Sequence, residues 1–208
     1  MSEGRTFREY EKKDFERCVE ITALAWPELT GGRAAADVEG YLWPSTWRQL
    51  ACVDNVPVGF LFGTMYSDLG ALGKLKVPLM HAAVNAKVLL GLYGRTPDRL
   101  AWVMGGIATG RDIERSRAEA DGKIGLFVID PAYQGKGIGK DLLHRFVEHA
   151  LSRGAGRISV DSLEFEGWGF YVKNGFTKLD ATFRDALFSR IRNEEVRGYQ
   201  FIMEIKKA

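Results

Sequence analysis

Hydrophobic and polar positions between residues 123 and 154 predict a buried strand, a tight turn and an amphipathic helix. Ile124 to Ile129 is a short apolar run with the length and composition of a buried strand. Asp130-Pro131 ends this run, because proline has no backbone donor and fixes φ. Gly154 stands where a glycine would end the following helix. The apolar face of that helix consists of Ile138, Leu142, Leu143, Phe146, Val147, Ala150 and Leu151.

Similar patterns predict strands and helices on both sides of this stretch. Towards the N-terminus we expect a strand at Thr6–Tyr10, a helix at Lys13–Ala25, and a hairpin of Leu50–Val53 and Val56–Tyr66 turning at Asp54-Asn55. Towards the C-terminus we expect strands at Arg157–Asp161, Lys178–Thr182 and Tyr199–Lys206, a short helix at Gly167–Asn174 ended by Gly175, and a short surface helix within 184–197.

Residues 67–122 are harder to interpret. Pro78 suits the first turn of a helix, and the apolar positions after it continue to Leu90. Leu100–Ile107 is apolar enough for a strand, with Gly105-Gly106 as a bulge. Arg111–Asp121 is charged throughout and indicates a mobile loop or a solvated helical turn. We treat 67–122 as an atypical insert that serves as a substrate lid, an oligomer contact or a structural elaboration.

Composition limits the class of protein. The chain has 208 residues, which suits a single domain spanning 1–208, and its 46% hydrophobic and 27% charged residues are ordinary for a soluble globular protein. A net charge of +2 does not indicate nucleic-acid binding. Cys18 and Cys52 lack paired or metal-binding spacing, so we expect buried thiols and no metal. Without a signal peptide or a membrane-length apolar stretch, the expected location is the cytoplasm, away from membranes.

The turn between the buried strand and its helix carries Gly135, Gly137 and Gly139. Glycines before a helix N-terminus let an anion approach unpaired N–H groups. A P-loop is excluded because Gln134 occupies a required glycine position and Asp141 replaces the metal-binding hydroxyl. The dinucleotide-binding pattern G-x-G-x-x-G is missed by one residue. A glycine turn with only a packing role is the alternative.

Two motifs resemble those of the GNAT superfamily of N-acetyltransferases. Gln134-Gly135-Lys136-Gly137-Ile138-Gly139 is similar to its Q/R-x-x-G-x-G/A signature, and the strand and turn at 127–133 resemble the segment before it. Phe170 to Phe176 resembles the F-Y-x-K-x-G-F segment, at the expected distance. The resemblance covers roughly residues 1–66 and 123–208. It implies a mixed α/β (α+β) fold: a mostly antiparallel sheet, helices on both faces, and a splayed parallel strand pair that holds the cofactor.

The resemblance also implies a function and a site. The expected activity is acetyl transfer from acetyl-CoA, without a metal, to an amine of a small molecule or peptide by direct attack. A non-catalytic acyl-CoA-binding or sensing module is the alternative, and a homodimer is possible because dimers are common in the family. Tyr171 would be the acid that protonates the departing thiolate. The expected cofactor-binding residues are Phe127, Val128 and Ile129 for the acyl-pantetheine arm, and Gln134, Gly135, Lys136, Gly137, Ile138, Gly139 and Lys140 for the pyrophosphate.

The general base cannot be assigned from the sequence. Many family members have a glutamate on the strand before the glycine loop, but Ile124–Ile129 contains no carboxylate. The nearest acids along the chain are Asp121, Asp161, Glu164 and Glu166, and Glu164 replaces an asparagine common in the family. His144 and His149 are expected on the solvent side of their helix. Tyr41, Trp43 and Trp47 lie in the region that borders the acceptor pocket in the family, or else pack a helix onto the sheet.

Overall fold

A seven-stranded sheet forms the centre of the protein, with strand order β1-β2-β3-β4-β5-β7-β6. The computed structural model describes residues 4–29, 32–95, 98–115 and 119–205. The strands are β1 (Arg5–Glu9), β2 (Trp47–Val53), β3 (Val56–Met65), β4 (Gly122–Ile129), β5 (Arg157–Leu163), β6 (Thr177–Arg184) and β7 (Arg197–Glu204). β4 and β5 are parallel, and the other neighbouring strands pair antiparallel.

Helices cover both faces of this sheet. They are α1 (Phe15–Ala25), α2 (Arg33–Leu42), α3 (Tyr66–Leu90), α4 (Arg99–Arg115), α5 (Ile138–Ser152), α6 (Gly169–Lys173) and α7 (Ala186–Arg192). On one face, α5 buries the apolar stripe predicted from the sequence, with Phe146 fully enclosed. On the other face, Cys18 and Ile21 of α1 and Val38 of α2 pack against the sheet. The predicted mixed fold with helices on both faces is confirmed.

The predicted hairpin is confirmed, including its two-residue turn. Asp54 and Asn55 have φ values of 50° and 67°. Positive φ at both central residues is the geometry that matches the twist of two paired strands, and Asp and Asn tolerate it. The turn therefore fixes the register that places Leu50 and Phe60 on the same side of the sheet, in one apolar cluster.

The insert differs from its prediction. The helix does not begin at Pro78 but at Tyr66, and the non-helical Gly70 (φ 58°, ψ −179°) interrupts it. Leu100–Ile107 is not a strand but part of α4, because a short apolar run suits a buried strand and a buried helix equally well. Arg111–Arg115 continues α4, and residues 116–118 lie outside the described residues.

A small core of its own supports the insert. Val84 and Val88 of α3 pack with Trp102 and Val103 of α4, and Leu187 of α7 joins the cluster. The same α7, predicted as a surface helix, thus buries part of its side chains. The outer face of the insert leaves large apolar side chains exposed: Leu72, Leu75, Leu79, Leu90, Leu100 and Met104.

Candidate functional site

β4 and β5 separate shortly after they begin to pair. Their register joins Gly122, Lys123 and Ile124 to Ile158, Ser159 and Val160, and it ends there. On the β3 side the pairing shifts between Phe62 and Gly63, which leaves Gly125 as an extra residue in β4. Such a bulge bends the strand and changes the direction of its side chains. Past it, no strand of the described ranges pairs with β4 on the β5 side, so the splayed parallel pair is confirmed.

The splay leaves the backbone of β4 facing an open slot. The N–H of Asp130 donates to the carbonyl of Val58 at 2.9 Å, so the backbone N–H and C=O groups of Asp130 point towards β3. In an antiparallel ladder, the backbone groups of every second residue point to the same side. Those of Val128 therefore also point towards β3, while those of Phe127 and Ile129 point into the slot. The side-chain amide of Gln134 donates to the carbonyl of Ile129 at 3.2 Å. The slot therefore offers both backbone groups of Phe127 and the N–H of Ile129.

The glycine loop presents a row of unused backbone donors. Gly135 and Gly137 have φ values of +75° and +83°, in the left-handed region that favours glycine. Gly137 is the N-cap of α5, and its carbonyl accepts from the N–H of Asp141 at 3.1 Å. The backbone N–H groups from Gly135 to Lys140 have no acceptor within the described residues. Consecutive free N–H groups at a helix N-terminus form an anion site.

Arg5 of β1 braces this loop, a role that sequence reasoning missed. Its guanidinium donates to Asp141 at 2.7 Å and to the carbonyl of Lys136 at 2.8 Å. Asp141 would otherwise place an unpaired negative charge in the first turn of α5, where it would repel an anion. Arg5 lies more than a hundred residues from the loop along the chain, and no local signal links the two.

A cleft of about 620 Å³ runs from the glycine loop to the slot between β4 and β5. Lys140 and Arg192 contribute cationic side chains to it. Arg192 was not expected from the sequence, and it is ion-paired at 3.2 Å with Glu28, which also lines the cleft. The predicted site residues that line it are Phe127, Val128, Ile129, Gln134, Gly135, Gly137, Gly139, Lys140 and Tyr171.

Two residues of the predicted set are not in the lining of this cleft. The Lys136 ammonium lies 4.8 Å from the centre of the Tyr133 ring. The Ile138 side chain is buried in the core beneath α5, because it begins the apolar stripe of that helix. Both residues contribute a backbone N–H to the free row. Cofactor contact by any of these residues stays a prediction.

Tyr171 stands where the cleft meets a second cavity. Its ring packs against Phe170, Phe176 and Phe201, with ring centres 5.5, 5.5 and 6.0 Å away. Burial raises its pKa above the ordinary value, and the negative charge of Glu166 adds to this effect. The phenol therefore keeps its proton at neutral pH, as a general acid must.

The second cavity, of about 150 Å³, lies beside the slot. α2 lines it with Asp37 and Tyr41, and α4 lines it with Thr109 and Ile113. The insert therefore supplies part of its wall. Five residues line both the cleft and the second cavity: Trp26, Phe127, Ser162, Glu166 and Tyr171.

The sequence left two interpretations for Tyr41, Trp43 and Trp47: bordering a pocket, or packing a helix onto the sheet. Each interpretation holds for one of them. Tyr41 borders the second cavity, and a Cβ added at Gly125 would lie 3.2 Å from its ring, so glycine at the bulge makes room for it. Trp47 instead packs between helix and sheet, with its ring centre 5.2 Å from that of Phe146. Trp43 is exposed and donates its indole N–H to Glu39 at 2.9 Å.

Of the four acids weighed from the sequence, only Asp161 and Glu166 line either cavity. Asp121 accepts from the N–H groups of Gly156 and Arg157 at 2.8 and 3.0 Å, which fixes the start of the β4–β5 pair. Glu164 is exposed and accepts from the N–H of Arg197 at 3.0 Å. Asp161 lines the second cavity and is ion-paired with Lys123.

Glu166 lies at the junction of the two cavities. Its carboxylate accepts from the Ser162 hydroxyl at 2.9 Å and from the N–H of Leu163 at 2.8 Å. Burial raises its pKa above the ordinary value, against these hydrogen bonds. Among the acids weighed from the sequence, it is the one beside Tyr171 that no cation pairs with in the described residues.

Asp37 and Asp185 were missed by sequence reasoning. Burial, and then the charge of Asp185, raise the pKa of Asp37 to about 7. Asp185 caps α7 by accepting from the N–H of Phe188 at 2.7 Å, and burial raises its pKa as well. The two residues come from α2 and from the start of α7, so only the folded chain brings them to one cavity.

The histidines of α5 differ from each other. His144 is exposed, as predicted, but the prediction for His149 is wrong. Its side chain is partly buried against Trp47, with ring centres 6.1 Å apart, because the start of α3 covers that side of the helix with Asp68. Burial lowers the pKa of His149.

Cys18 and Cys52 are free and buried, as expected. In the described ranges, no three His, Cys, Asp or Glu side chains come together as a metal site requires. Within the part of the chain that the structure describes, no helix is long and apolar enough to cross a bilayer.

Comparisons with known proteins point to a single family. A family model described as an acetyltransferase (GNAT) domain matches residues 97–178, beginning inside the insert. The chain is 33% identical over 122 residues to glucosamine 6-phosphate N-acetyltransferase 1 of Oryza sativa subsp. japonica, covering 53% of this chain and 73% of that protein.

Solved structures with low identity share the fold. An aminoglycoside 6′-N-acetyltransferase complexed with coenzyme A has a TM-score of 0.58 at 13% identity, covering 98% of this chain and 99% of that chain. The ribosomal-protein-S18-alanine N-acetyltransferase of Escherichia coli has a TM-score of 0.54 at 14% identity, covering 98% and 96%.

Proposed function

The chain belongs to the GNAT superfamily of N-acetyltransferases, and from this premise we propose that it transfers the acetyl group of acetyl-CoA directly to an amine of a small molecule or peptide. The observation that carries the proposal is the junction at Tyr171, where the cleft that begins at the glycine loop meets a second, smaller cavity. One compartment would hold the cofactor and the other the acceptor.

The chain's own groups suit these roles. The free N–H groups from Gly135 to Lys140 would hold the pyrophosphate, with Lys140 adding positive charge. The slot-facing backbone of Phe127 and Ile129 would bind the amides of the pantetheine arm. Aminoglycoside 6′-N-acetyltransferase, which shares this fold, was solved with coenzyme A, and this supports the cofactor assignment.

The reaction needs a neutral amine and an acid. When bound, acetyl-CoA supplies an acyl group attached to a thiol leaving group. The nitrogen–carbon bond forms as the carbon–sulfur bond breaks, and the bonding pair leaves with sulfur. The Tyr171 hydroxyl would then donate its proton to sulfur, while Glu166 or water takes the proton of the amine. The products are the N-acetylated amine and coenzyme A.

Cofactor binding can be tested at the glycine loop. Coenzyme A and acetyl-CoA should raise the melting temperature by mass action, and ATP or NAD should do so far less. Gly137→Glu should abolish the response, because its carboxylate would occupy the anion site. Gly154→Glu is the matched control: Gly154 also has positive φ (+76°) but lies in open space at the far end of α5. An unchanged coenzyme A response in Gly137→Glu would contradict the assignment.

Turnover can be tested by free-thiol release from acetyl-CoA with a panel of amines. An enzyme releases thiol in proportion to acetylated product. A non-catalytic acyl-CoA-binding module would instead be stabilised by the cofactor and release no thiol with any amine. Location in the cytoplasm and assembly into a homodimer stay predictions.

A further inference from the structure

The second cavity has a strongly acidic lining, and this bears on which amine it accepts. Its carboxylates are Asp37, Asp161, Glu166 and Asp185. Lys123 is the only cationic side chain of its described lining, and it is ion-paired with Asp161. The site itself rests on the proposed function and on the junction at Tyr171. The carboxylates determine only the charge of the ligand.

These acids occupy two different ends of the cavity. Glu166 also lines the cofactor cleft, so it lies at the end where acetyl transfer would occur. Asp37 and Asp185 line the second cavity alone, which places them away from the cleft. The arrangement therefore provides negative charge at the reacting end and again at the remote end.

The remote pair lacks a cation of its own. Within the described residues, Asp37 has no hydrogen-bond or ion-pair partner; the nearby Arg33 is committed to Asp98. Asp185 accepts from backbone N–H groups, which carry no net charge. Because the two carboxylates repel each other in a largely buried place, a cation between them would be favoured strongly.

Besides its carboxylates, the cavity lining contains aromatic and small groups, among them Tyr41, Phe183, Phe188 and Gly125. A short hydrocarbon chain could pack against these groups. A cavity of about 150 Å³ is also small, which favours a compact acceptor.

We propose that the acceptor is a short aliphatic diamine or an amine with an equivalent second cationic nitrogen, which binds between Asp37 and Asp185 while the reacting amine lies beside Glu166 and Tyr171. The second nitrogen takes no part in bond making. It holds the reacting amine in register with the thioester, so its contribution falls mainly on KM.

This acceptor class differs from the one named for the rice relative. The name of that protein specifies glucosamine 6-phosphate as its acceptor. A phosphate dianion in the second cavity would meet four carboxylates and a lysine that is already paired. We therefore expect glucosamine 6-phosphate to be a poor ligand here.

The test is equilibrium binding to the coenzyme A complex, measured by isothermal titration calorimetry. Diamines of three to five carbons are compared with monoamines of the same length, such as 1,4-diaminobutane with 1-aminobutane. We expect the best diamine to bind at least about tenfold more tightly than its matched monoamine. Asp37→Asn should remove most of that advantage, so that the diamine and its matched monoamine bind about equally.

Asp37 is chosen because it forms no hydrogen bond in the described structure, whereas replacing Asp185 would remove the cap of α7. Asp180→Asn, at an exposed position of β6 outside both cavities, is the matched control. Equal binding of diamine and monoamine, or equal loss of both in Asp37→Asn, overturns the proposal. Tighter binding of glucosamine 6-phosphate than of any diamine also overturns it.

Thiol release with the same pairs of amines separates this proposal from the proposed function. If monoamines and diamines are turned over with equal kcat/KM, the proposed acetyltransferase activity stands and the diamine proposal is wrong. If diamines bind tightly and depend on Asp37, but no amine leads to thiol release, the diamine-binding site stands and the proposed acetyl transfer is wrong.

Discussion

At the scale of single residues, the site depends on side chains whose protonation is set by burial. Tyr171 is held as a neutral phenol and Asp37 is shifted towards neutrality, for the same reason: a charge in a poorly solvated place is costly. The first shift preserves a proton donor. The second shift also reflects repulsion between Asp37 and Asp185, which a bound cation would reduce.

Tyr171→Phe tests the acid directly. Phenylalanine keeps the ring contacts with Phe170 and Phe176 but removes the proton, so kcat should fall by roughly 10²–10⁴-fold. Coenzyme A binding and melting temperature should change little. Tyr199→Phe, which removes a hydroxyl outside both cavities, is the control. Wild-type kcat in Tyr171→Phe, measured where chemistry limits the rate, would leave Tyr171 with a packing role only.

Asp37→Asn should change how stability depends on pH. The folded pKa of about 7 exceeds the ordinary value of 3.8, so the wild-type protein loses stability as pH rises from about 4 through 7. Asparagine cannot ionise and avoids this loss. The variant should therefore melt at nearly the wild-type temperature at pH 4 and at a higher temperature at pH 8.

Calorimetric melting at both pH values, with Asp180→Asn as the exposed control, measures the effect. A difference between Asp37→Asn and wild type that is the same at pH 4 and pH 8 would mean that Asp37 is not shifted in the folded state.

At the scale of elements, the insert is both scaffold and wall. α3 and α4 pack around Trp102, and α4 extends to the second cavity through Thr109 and Ile113. Damage to the packing of the insert should therefore reach the second cavity before it reaches the glycine loop, which is supported by α5 and Arg5.

Trp102→Ala should lower the free energy of unfolding by about 3–5 kcal/mol, because it removes a large buried ring. In the variant that remains folded, KM for the amine should rise more than KM for acetyl-CoA. Leu100→Ala, on the exposed side of the same helix, should change stability by less than about 0.5 kcal/mol. Equal increases in both KM values would show that the insert supports the whole site alike.

At the scale of the whole molecule, local signals in the sequence account for the sheet, its hairpin and the glycine loop. The glycines at 135–139 and the helix after them need only neighbouring residues to be recognised, and so does the turn at Asp54-Asn55. The strand predicted at Leu100–Ile107 was wrong because a short apolar run suits a buried strand and a buried helix equally well, and only the packing of the folded chain distinguishes them.

The remaining site residues depend on tertiary structure. Arg5 reaches the loop across the sheet, and Asp37 meets Asp185 only when α2, α4 and α7 have packed. Neither contact follows a spacing pattern that can be recognised in the sequence. Both can be identified only from the folded structure.

If coenzyme A binds in the slot between β4 and β5 as proposed, it completes the hydrogen bonding of β4, with consequences for hydrogen exchange. The N–H groups of Phe127 and Ile129 face the slot, whereas that of Val128 is bonded towards β3. Without ligand, the first two amides should exchange quickly and that of Val128 slowly, although the three are consecutive. Saturating coenzyme A should slow Phe127 and Ile129 strongly and leave Val128 nearly as it was. Uniform protection across all three would mean that the cofactor rigidifies the strand without completing it, and NMR-detected exchange distinguishes the two patterns residue by residue.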